Sequence, residues 1–152
     1  MQAMHADRPD LLLVDAQAFL LADGIYHEPA LNQLGQRTLV AALGKQGRDG
    51  AFAGRGGPTI ANQARALESL VEIALYFPAP SLNEAAASAA RWLARKIASK
   101  QHSGPAERAD ALSPSAAIEW RDGILALSYQ ASRVGDSKAL ASTIAWMGPS
   151  GR

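Results

Sequence analysis

The chain has 152 residues, of which 48% are apolar and 19% charged, and its net charge is +1. This length and apolar fraction predict one folded domain over residues 1–152 and exclude a disordered chain. The near-zero charge removes the bulk electrostatic case for nucleic acid, and the absence of cysteine excludes disulfides, thiol nucleophiles and thiolate metal sites.

The apolar spacing and its punctuation predict six helices and no strands, over residues 9–23, 29–44, 58–77, 81–100, 114–134 and 136–147. In the first helix, Asp7 suits the cap, Pro9 the first turn and Gly24 the exit. Because this helix is apolar almost all round, we expect it to be deeply buried.

The later helices carry similar punctuation. Prolines open the second, third and fifth, at Pro29, Pro58 and Pro114. The fourth begins with a capping box from Ser81 to Glu84. Gly44 ends the second helix and Gly135 ends the fifth, while Asp136 caps the sixth.

No apolar run approaches the roughly 18 residues that a membrane span needs. The N-terminus lacks the basic segment of a signal peptide, although a leader that has been removed stays open. We therefore expect no membrane span and a soluble chain that is cytoplasmic by default.

The connections between the helices have two lengths. Those after the second and fourth helices are long, at 45–57 and 101–113, and the others are short. In an antiparallel stack of hairpins, alternate connections lie at opposite ends. Both long connections are therefore predicted on one rim, with the starts of the first, third and fifth helices, and long loops on a rigid scaffold commonly carry binding groups.

A segment at 39–52 returns in weaker form at 92–104, about 55 residues later, and Arg37 and Arg91 precede the two copies at matching places. A fixed period of this size is typical of repeat architectures. The chain is then predicted to be three helical hairpins, each an inner helix followed by an outer one. The alternative is an unrelated six-helix bundle whose similarity reflects Ala/Leu-rich composition.

The stretch from Gln46 to Phe52, which contains Asp49 and Gly50, follows an Ala/Leu-rich helix. It resembles the Gln-x-x-Asp-Gly-x-aromatic turn of the α/α toroids, which include terpenoid cyclases, protein prenyltransferases and several polysaccharide hydrolases and lyases. The resemblance implies an all-α fold of hairpins, and a turn that ties the end of an outer helix to the next hairpin. The second copy, which ends at Gly104, lacks the aromatic residue.

The chain departs from the specific chemistries of that superfamily. It has no Asp-x-Asp-Asp acid motif and no cysteine for a thioester or a zinc thiolate. Complete toroids usually close with five to seven hairpins, so three hairpins resemble half of one. Open edges of a half ring expose apolar surface, which usually marks an interface. We expect self-association or membership of a larger parent chain.

Glu119 and Asp122 lie three residues apart near the start of the fifth helix and flank Trp120 and Arg121. On the long-loop rim, two carboxylates beside an indole suit a sugar, as general acid, general base and stacking surface. Asp49 is a third candidate carboxylate, and Arg121 a further candidate ligand-binding residue. The alternative is that these acids favour the helix dipole or the turn, while Trp120 packs in the core.

The glycine-rich stretch before the third helix carries Arg55, and Asn62 and Arg65 follow in the helix's first turns. Free amides and Arg55 suit an anion at a helix N-terminus, whereas a plain flexible loop is the alternative. Arg65 is either a substrate clamp or a structural ion-pair partner of Glu68 or Glu119.

The three histidines show no ligand spacing, so we expect neither a metal site nor a cofactor. The leading hypothesis is a non-catalytic helical-hairpin domain that binds a partner protein or an extended ligand through its long-loop rim. One alternative is part of a polysaccharide hydrolase or lyase that takes an oligosaccharide. Another is a terpenoid-cyclase relative that has lost its acid motif.

Overall fold

The computed structural model describes residue 5, residues 7–101 and 114–136, and positions 138, 139 and 141, with the backbone alone at 100–101 and 114–120. This part of the chain is all-helical, without strands, and contains five helices: α1 (Pro9–Tyr26), α2 (Pro29–Leu43), α3 (Ile60–Tyr76), α4 (Pro80–Gln101) and α5 (Pro114–Arg133). The side chain of Asp136 accepts the Ala139 amide at 2.9 Å, as the predicted cap requires. Most of the predicted sixth helix, 136–147, lies outside the described residues.

The prediction of the end of the first helix was wrong, because α1 continues through Gly24 to Tyr26. The exit is made instead by His27, whose backbone is left-handed with φ of 53° and whose amide donates to the Asp23 carbonyl. A helix commonly ends where one residue adopts this conformation, and a non-glycine residue can supply it.

The starts of α3 and α4 also differ from prediction. Thr59 caps α3 by accepting the Asn62 amide at 3.1 Å, so Pro58 lies just before the helix. The α4 helix begins at Pro80, whose missing N–H costs nothing at a first helical position. The amides of Leu82 and Asn83 donate to the Ala79 carbonyl. Ala79 is therefore the residue that precedes the helix as its N-cap, the role predicted for Ser81.

The helices form a row with two further helices packed against it. The α3 helix lies between α1 and α5, while α2 packs on α1, and α4 packs on α3 and α5. The side chains of Asp10 and Arg65 pair across α1 and α3, and so do those of Gln17 and Glu72, each pair 55 residues apart. The two helices therefore run parallel and in the register of the proposed repeat.

One side of the row is not covered by the described helices. The Gln17–Glu72 hydrogen bond joins α1 to α3 on this side, and the charge of Asp122 acts on Glu68 across α3 and α5. Residues three to four positions apart share a helix face. We call this surface the open face; it comprises Val14, Gln17, Glu68, Glu72, Leu75, Asp122, Leu125 and Tyr129.

The expectation that the first helix is deeply buried was wrong. Its core side is buried at Leu12, Leu13, Ala16 and Leu20, but Val14 is 37% exposed and Ile25 is 71% exposed. Apolar residues all round a helix do not ensure burial when one side has no partner element. The core itself is formed mainly by α3 with α4 and α5, through Leu67, Leu70, Ile73, Leu93, Ile97 and Ile124.

The first long connection joins α2 to α3 and passes the start of α1. The Arg55 amide donates to the Asp7 carbonyl at 3.3 Å, so this loop and the starts of α1 and α3 lie together. That is the rim arrangement predicted for the first long connection. The second, 101–113, lies beyond Gln101 outside the described residues.

Candidate functional site

The first half of the α2–α3 connection is a tight turn, which we call the Gln46 turn (Gln46–Phe52). Gln46 and Phe52 pair as an isolated antiparallel bridge, and the Gly47 amide donates to the Ala51 carbonyl at 2.7 Å. The Gln46 side-chain amide donates to the carbonyl oxygens of Gly50 at 3.1 Å and of Ala85, in α4, at 2.9 Å. One side chain thus closes the turn and ties it to the next hairpin.

A second glutamine holds the same turn from the other side. Gln63, in α3, is fully buried; it donates to the Gly50 carbonyl at 3.0 Å and accepts the Phe52 amide at 3.0 Å. Phe52 is only 1% exposed and packs in the core. Buried amides need partners of this kind, because an unsatisfied one is costly. Gln63 was not singled out from the sequence.

Gly50 and Asp49 shape the tip of this turn. Gly50 has φ of +94°, and a Cβ on it would lie 2.6 Å from the Ser88 carbonyl carbon, so the turn and α4 meet at bare backbone. The Asp49 carboxylate accepts the Ala51 amide at 3.1 Å, and its carbonyl accepts a hydrogen bond from Arg95 at 2.9 Å. These contacts match the turn-stabilising role left open for Asp49.

The second half of the connection borders a cavity of about 480 Å³, which we call the rim cavity. Its walls come from the N-terminal segment, the glycine-rich loop and the first turn of α3: Asp7, Arg8, Gly54, Arg55, Gly56, Gly57, Thr59, Ala61 and Asn62. The Gly57 amide donates to the Gly54 carbonyl at 2.9 Å and closes the loop on itself. Two predicted ligand-binding residues, Arg55 and Asn62, are thereby brought together.

The polar side chains of Arg55 and Asn62 are available in the rim cavity. Neither side chain makes a hydrogen bond or an ion pair within the described part of the chain. A guanidinium offers five donors in a planar fork, and a carboxamide offers both donors and acceptors. The cavity is therefore equipped to bind a polar or anionic group.

Arg65, the third predicted ligand-binding residue, has a structural partner next to the cavity. Its guanidinium lies 2.6 Å from the carboxylate of Asp10, which Arg8 also contacts at 2.9 and 3.1 Å. Asp10 is 2% exposed. Burial raises the pKa of this carboxyl, but the hydrogen bonds from Arg8 and Arg65 outweigh it and hold the pKa below its ordinary value. The ion pair of Arg65 is therefore made with Asp10 and not with Glu68, while the side chain of Glu119, the other predicted partner, lies outside the described residues.

Two predicted residues of the fifth helix, Arg121 and Asp122, do not line the rim cavity. Arg121 and Asp122 are partly exposed on α5, with the guanidinium 3.7 Å from the carboxylate. Burial, then the charges of Asp122 and Glu72, raise the pKa of Glu68, while Arg65 lowers it. The structure thus brings Asp122 close to Glu68, on the open face. The side chains of Glu119 and Trp120 lie outside the described residues.

A signal for the missed residues exists in the repeat spacing. Asp10 precedes Arg65 by 55 residues, and Gln17 precedes Glu72 by the same distance. Complementary side chains at the repeat period are expected to meet when equivalent helices pack in parallel. No such signal marks Gln63, because its partners are backbone groups of a turn.

Among the described residues, no group of three or more His, Asp or Glu side chains is arranged to hold a metal ion. Within the same residues, no helix is both long and apolar enough to cross a membrane. No family model matches the chain, and comparison with curated proteins and with solved structures gives no significant match.

Proposed function

We propose that this chain is a non-catalytic helical-hairpin domain that binds a partner chain or an extended ligand at its long-loop rim. The observation that carries the proposal is the rim cavity of about 480 Å³, where Arg55 and Asn62 present polar side chains without partners in the described structure. Elsewhere at this end of the molecule, polar groups such as Asp10 and Gln63 are satisfied internally. A ligand in the cavity can therefore form new hydrogen bonds with Arg55 and Asn62 without breaking hydrogen bonds inside the protein.

Two features support an architecture of α/α toroid type for this domain. The Gln46 turn ties the end of α2 to α4, which is the role implied by the resemblance of its sequence. The row of α1, α3 and α5, with α2 packed on α1 and α4 packed on α3 and α5, matches an inner and an outer helix in each of the first two hairpins. Together with the third hairpin predicted from the sequence, they would correspond to half of a closed ring.

The rim cavity favours binding over catalysis because its described lining does not include a pair of carboxylates. Among its described lining residues, Asp7 is the only acid. Acid–base cleavage of a glycoside generally needs two carboxyl groups on either side of the bond. Asp49, which was a candidate for that role, has its carboxylate committed to the Ala51 amide.

A thermal-shift experiment on the full chain tests the proposal. The probes are neutral oligosaccharides, uronic-acid oligosaccharides and acidic peptides, each titrated to saturation. At hundredfold excess over Kd, we expect one class to raise Tm by roughly 5–10 °C. Arg55→Ala and Asn62→Ala remove this shift, whereas Arg37→Ala, on the exposed side of α2, retains it. The proposal fails if no class shifts Tm, or if the shift survives both cavity substitutions.

A second candidate function, a polysaccharide hydrolase or lyase, is favoured by one observation on the open face. Glu68 lies within electrostatic reach of Asp122, and such a reaction generally uses two neighbouring carboxyl groups. Release of reducing ends from polysaccharides, abolished by Glu68→Gln and by Asp122→Asn, is the expected result. Absence of release by the unmodified chain excludes this candidate for the substrates tested.

A further inference from the structure

The open face carries a pair of acidic residues one helical turn apart. Glu68 is exposed and Glu72 half-buried on α3, and Asp122 adds a third carboxylate from α5. Neither glutamate belongs to any of the ion pairs found in the described part of the chain. Partial burial of the Glu68 carboxyl raises its pKa, and so do the like charges of Asp122 and Glu72, while Arg65 lowers it.

A different surface carries a matching pair of basic residues. Arg91 and Arg95 lie one turn apart on the exposed side of α4, and Lys96 stands over the Trp92 ring, 5.4 Å from its centroid. Arg95 reaches the Asp49 carbonyl in the Gln46 turn, which places Arg48 nearby. Within the described residues these cations also form no ion pairs. We call this surface the basic face.

We propose that a second copy of this chain occupies the open face, with Arg91 and Arg95 of one copy paired with Glu68 and Glu72 of the next. On a helix, residues four apart are about 6 Å apart at their Cβ atoms, so the two pairs have the same spacing. Complementary charge of matched spacing fixes orientation and register at an interface. The net charge of +1 leaves little bulk repulsion between copies.

Exposed apolar side chains supply the rest of such an interface. Four apolar residues of the open face are each at least 37% exposed: Val14, Leu75, Leu125 and Tyr129. Apolar burial then contributes most of the affinity, and the charges select the partner surface. None of these residues lines the rim cavity. Because the two faces differ, the contact is head-to-tail and builds a ring or an open chain of copies.

Sedimentation velocity of the full chain, over a concentration series at 50 mM and 500 mM NaCl, tests the proposal. We expect self-association that weakens about tenfold at the higher salt, as two exposed ion pairs are screened. Glu68→Lys with Glu72→Lys, and separately Arg91→Glu with Arg95→Glu, are each expected to sediment as monomers. Arg37→Glu, on the exposed side of α2, serves as the matched control and associates as the unmodified chain does.

Mixing the two charge-reversed proteins gives the decisive result. Each restores complementary faces for the other, so the mixture is expected to associate again at 50 mM NaCl. Because Arg95 also supports the Gln46 turn, Arg91→Glu with Lys96→Glu provides a second basic-face variant. A monomer at both salts overturns the proposal. Association that neither variant changes also overturns it, because it indicates edge-to-edge packing of hairpins. Binding of polylysine or heparin without self-association overturns it as well.

Discussion

The two halves of the α2–α3 connection have opposite characters. In the Gln46 turn, the side chains of Gln46 and Asp49 and the carbonyl of Gly50 all have hydrogen-bond partners, and Phe52 is buried. In the glycine-rich half, the Arg55 side chain has no partner among the described residues and borders a cavity. One half is part of the scaffold, and the other is a surface that the scaffold presents.

This difference separates the residues with a recognisable pattern from those available for binding. The Gln-x-x-Asp-Gly-x-aromatic pattern marks the closed half, because a turn with this many simultaneous contacts restricts the residues that fit. The open half is constrained only by backbone closure, and so it can vary with the ligand. If the closed half is structural and the open half is dispensable for folding, substitutions in the two halves should differ sharply in their cost to stability.

The largest effect is expected for Gly50→Ala. The new Cβ meets the Ser88 backbone, and the residue is held at φ of +94°, so we expect a loss of about 4 kcal/mol in the free energy of unfolding. Gly57→Ala places an alanine at φ of +80° without a clash and should cost about 1 kcal/mol. Gly56→Ala, which meets nothing, should change stability by less than about 0.5 kcal/mol. Urea unfolding measures all three, and equal effects would contradict the comparison.

Gln63→Leu is expected to cost about 3 kcal/mol, because the substitution leaves the Phe52 amide unsatisfied and the Gly50 carbonyl short of a donor. Gln36→Leu, which removes an exposed hydrogen bond on α2, is the matched control and should cost less than about 0.5 kcal/mol. Denaturant midpoints at constant m-value give both numbers. A small effect at Gln63 would show that the turn does not depend on α3.

Asp10→Asn is expected to cost about 2 kcal/mol at pH 7, since it leaves Arg8 and Arg65 beside a buried neutral group. The folded-state pKa of Asp10 is below its ordinary value of 3.8. Its contribution is therefore present above pH 3.8 and lost as pH falls through the folded value. Unfolding curves between pH 2 and pH 7 should converge for the two proteins at the acidic end. Asp15→Asn, on the same helix, is the control and should change stability at pH 7 by less than about 0.5 kcal/mol.

Glu68→Gln is expected to have the smallest effect and the opposite sign. The folded-state pKa of Glu68 is raised above its ordinary value of 4.5, so its ionised form destabilises the fold. The penalty is absent below pH 4.5 and complete above the folded value. Because the side chain is exposed, the gain at pH 7 should be a few tenths of a kcal/mol. Melting temperatures at pH 4 and pH 7 check this, with Glu84→Gln on α4 as control.

The all-helical class and most helix starts follow from local sequence. Pro29 and Pro114 open α2 and α5 as predicted, because proline at a first helical position is a local preference. The prediction that α1 ends at Gly24 was wrong, since a glycine inside a helix costs only about 1 kcal/mol and does not by itself end the helix. The end of α1 at His27 depends on how α2 packs back against α1, where the Asn32 side chain donates a hydrogen bond to Asp23. No local sequence pattern predicts this packing.

The candidate site was also predictable only where local sequence determines it. Arg55 and Asn62 were found because they lie between a long loop and a helix start, and chain order alone brings such residues together. The partner of Arg65 was not found, because Asp10 is 55 residues away and the pairing depends on the register of α1 against α3. Local spacing suggested Glu68, which lies in the same helix. Tertiary register therefore decided which carboxylate forms the ion pair.

The reach of Gln46 to Ala85 has a consequence for synthesis of the chain. Ala85 is synthesised 39 residues after Gln46. The ribosome therefore adds α1, α2 and the Gln46 turn to the chain before the acceptor of this hydrogen bond exists. A nascent chain stopped after α3 keeps Gln63 but lacks Ala85 and the Ser88 backbone, which leaves the glycine tip uncovered. The leading hairpin therefore lacks this hydrogen bond and the backbone cover of Gly50 until the following hairpin has been synthesised.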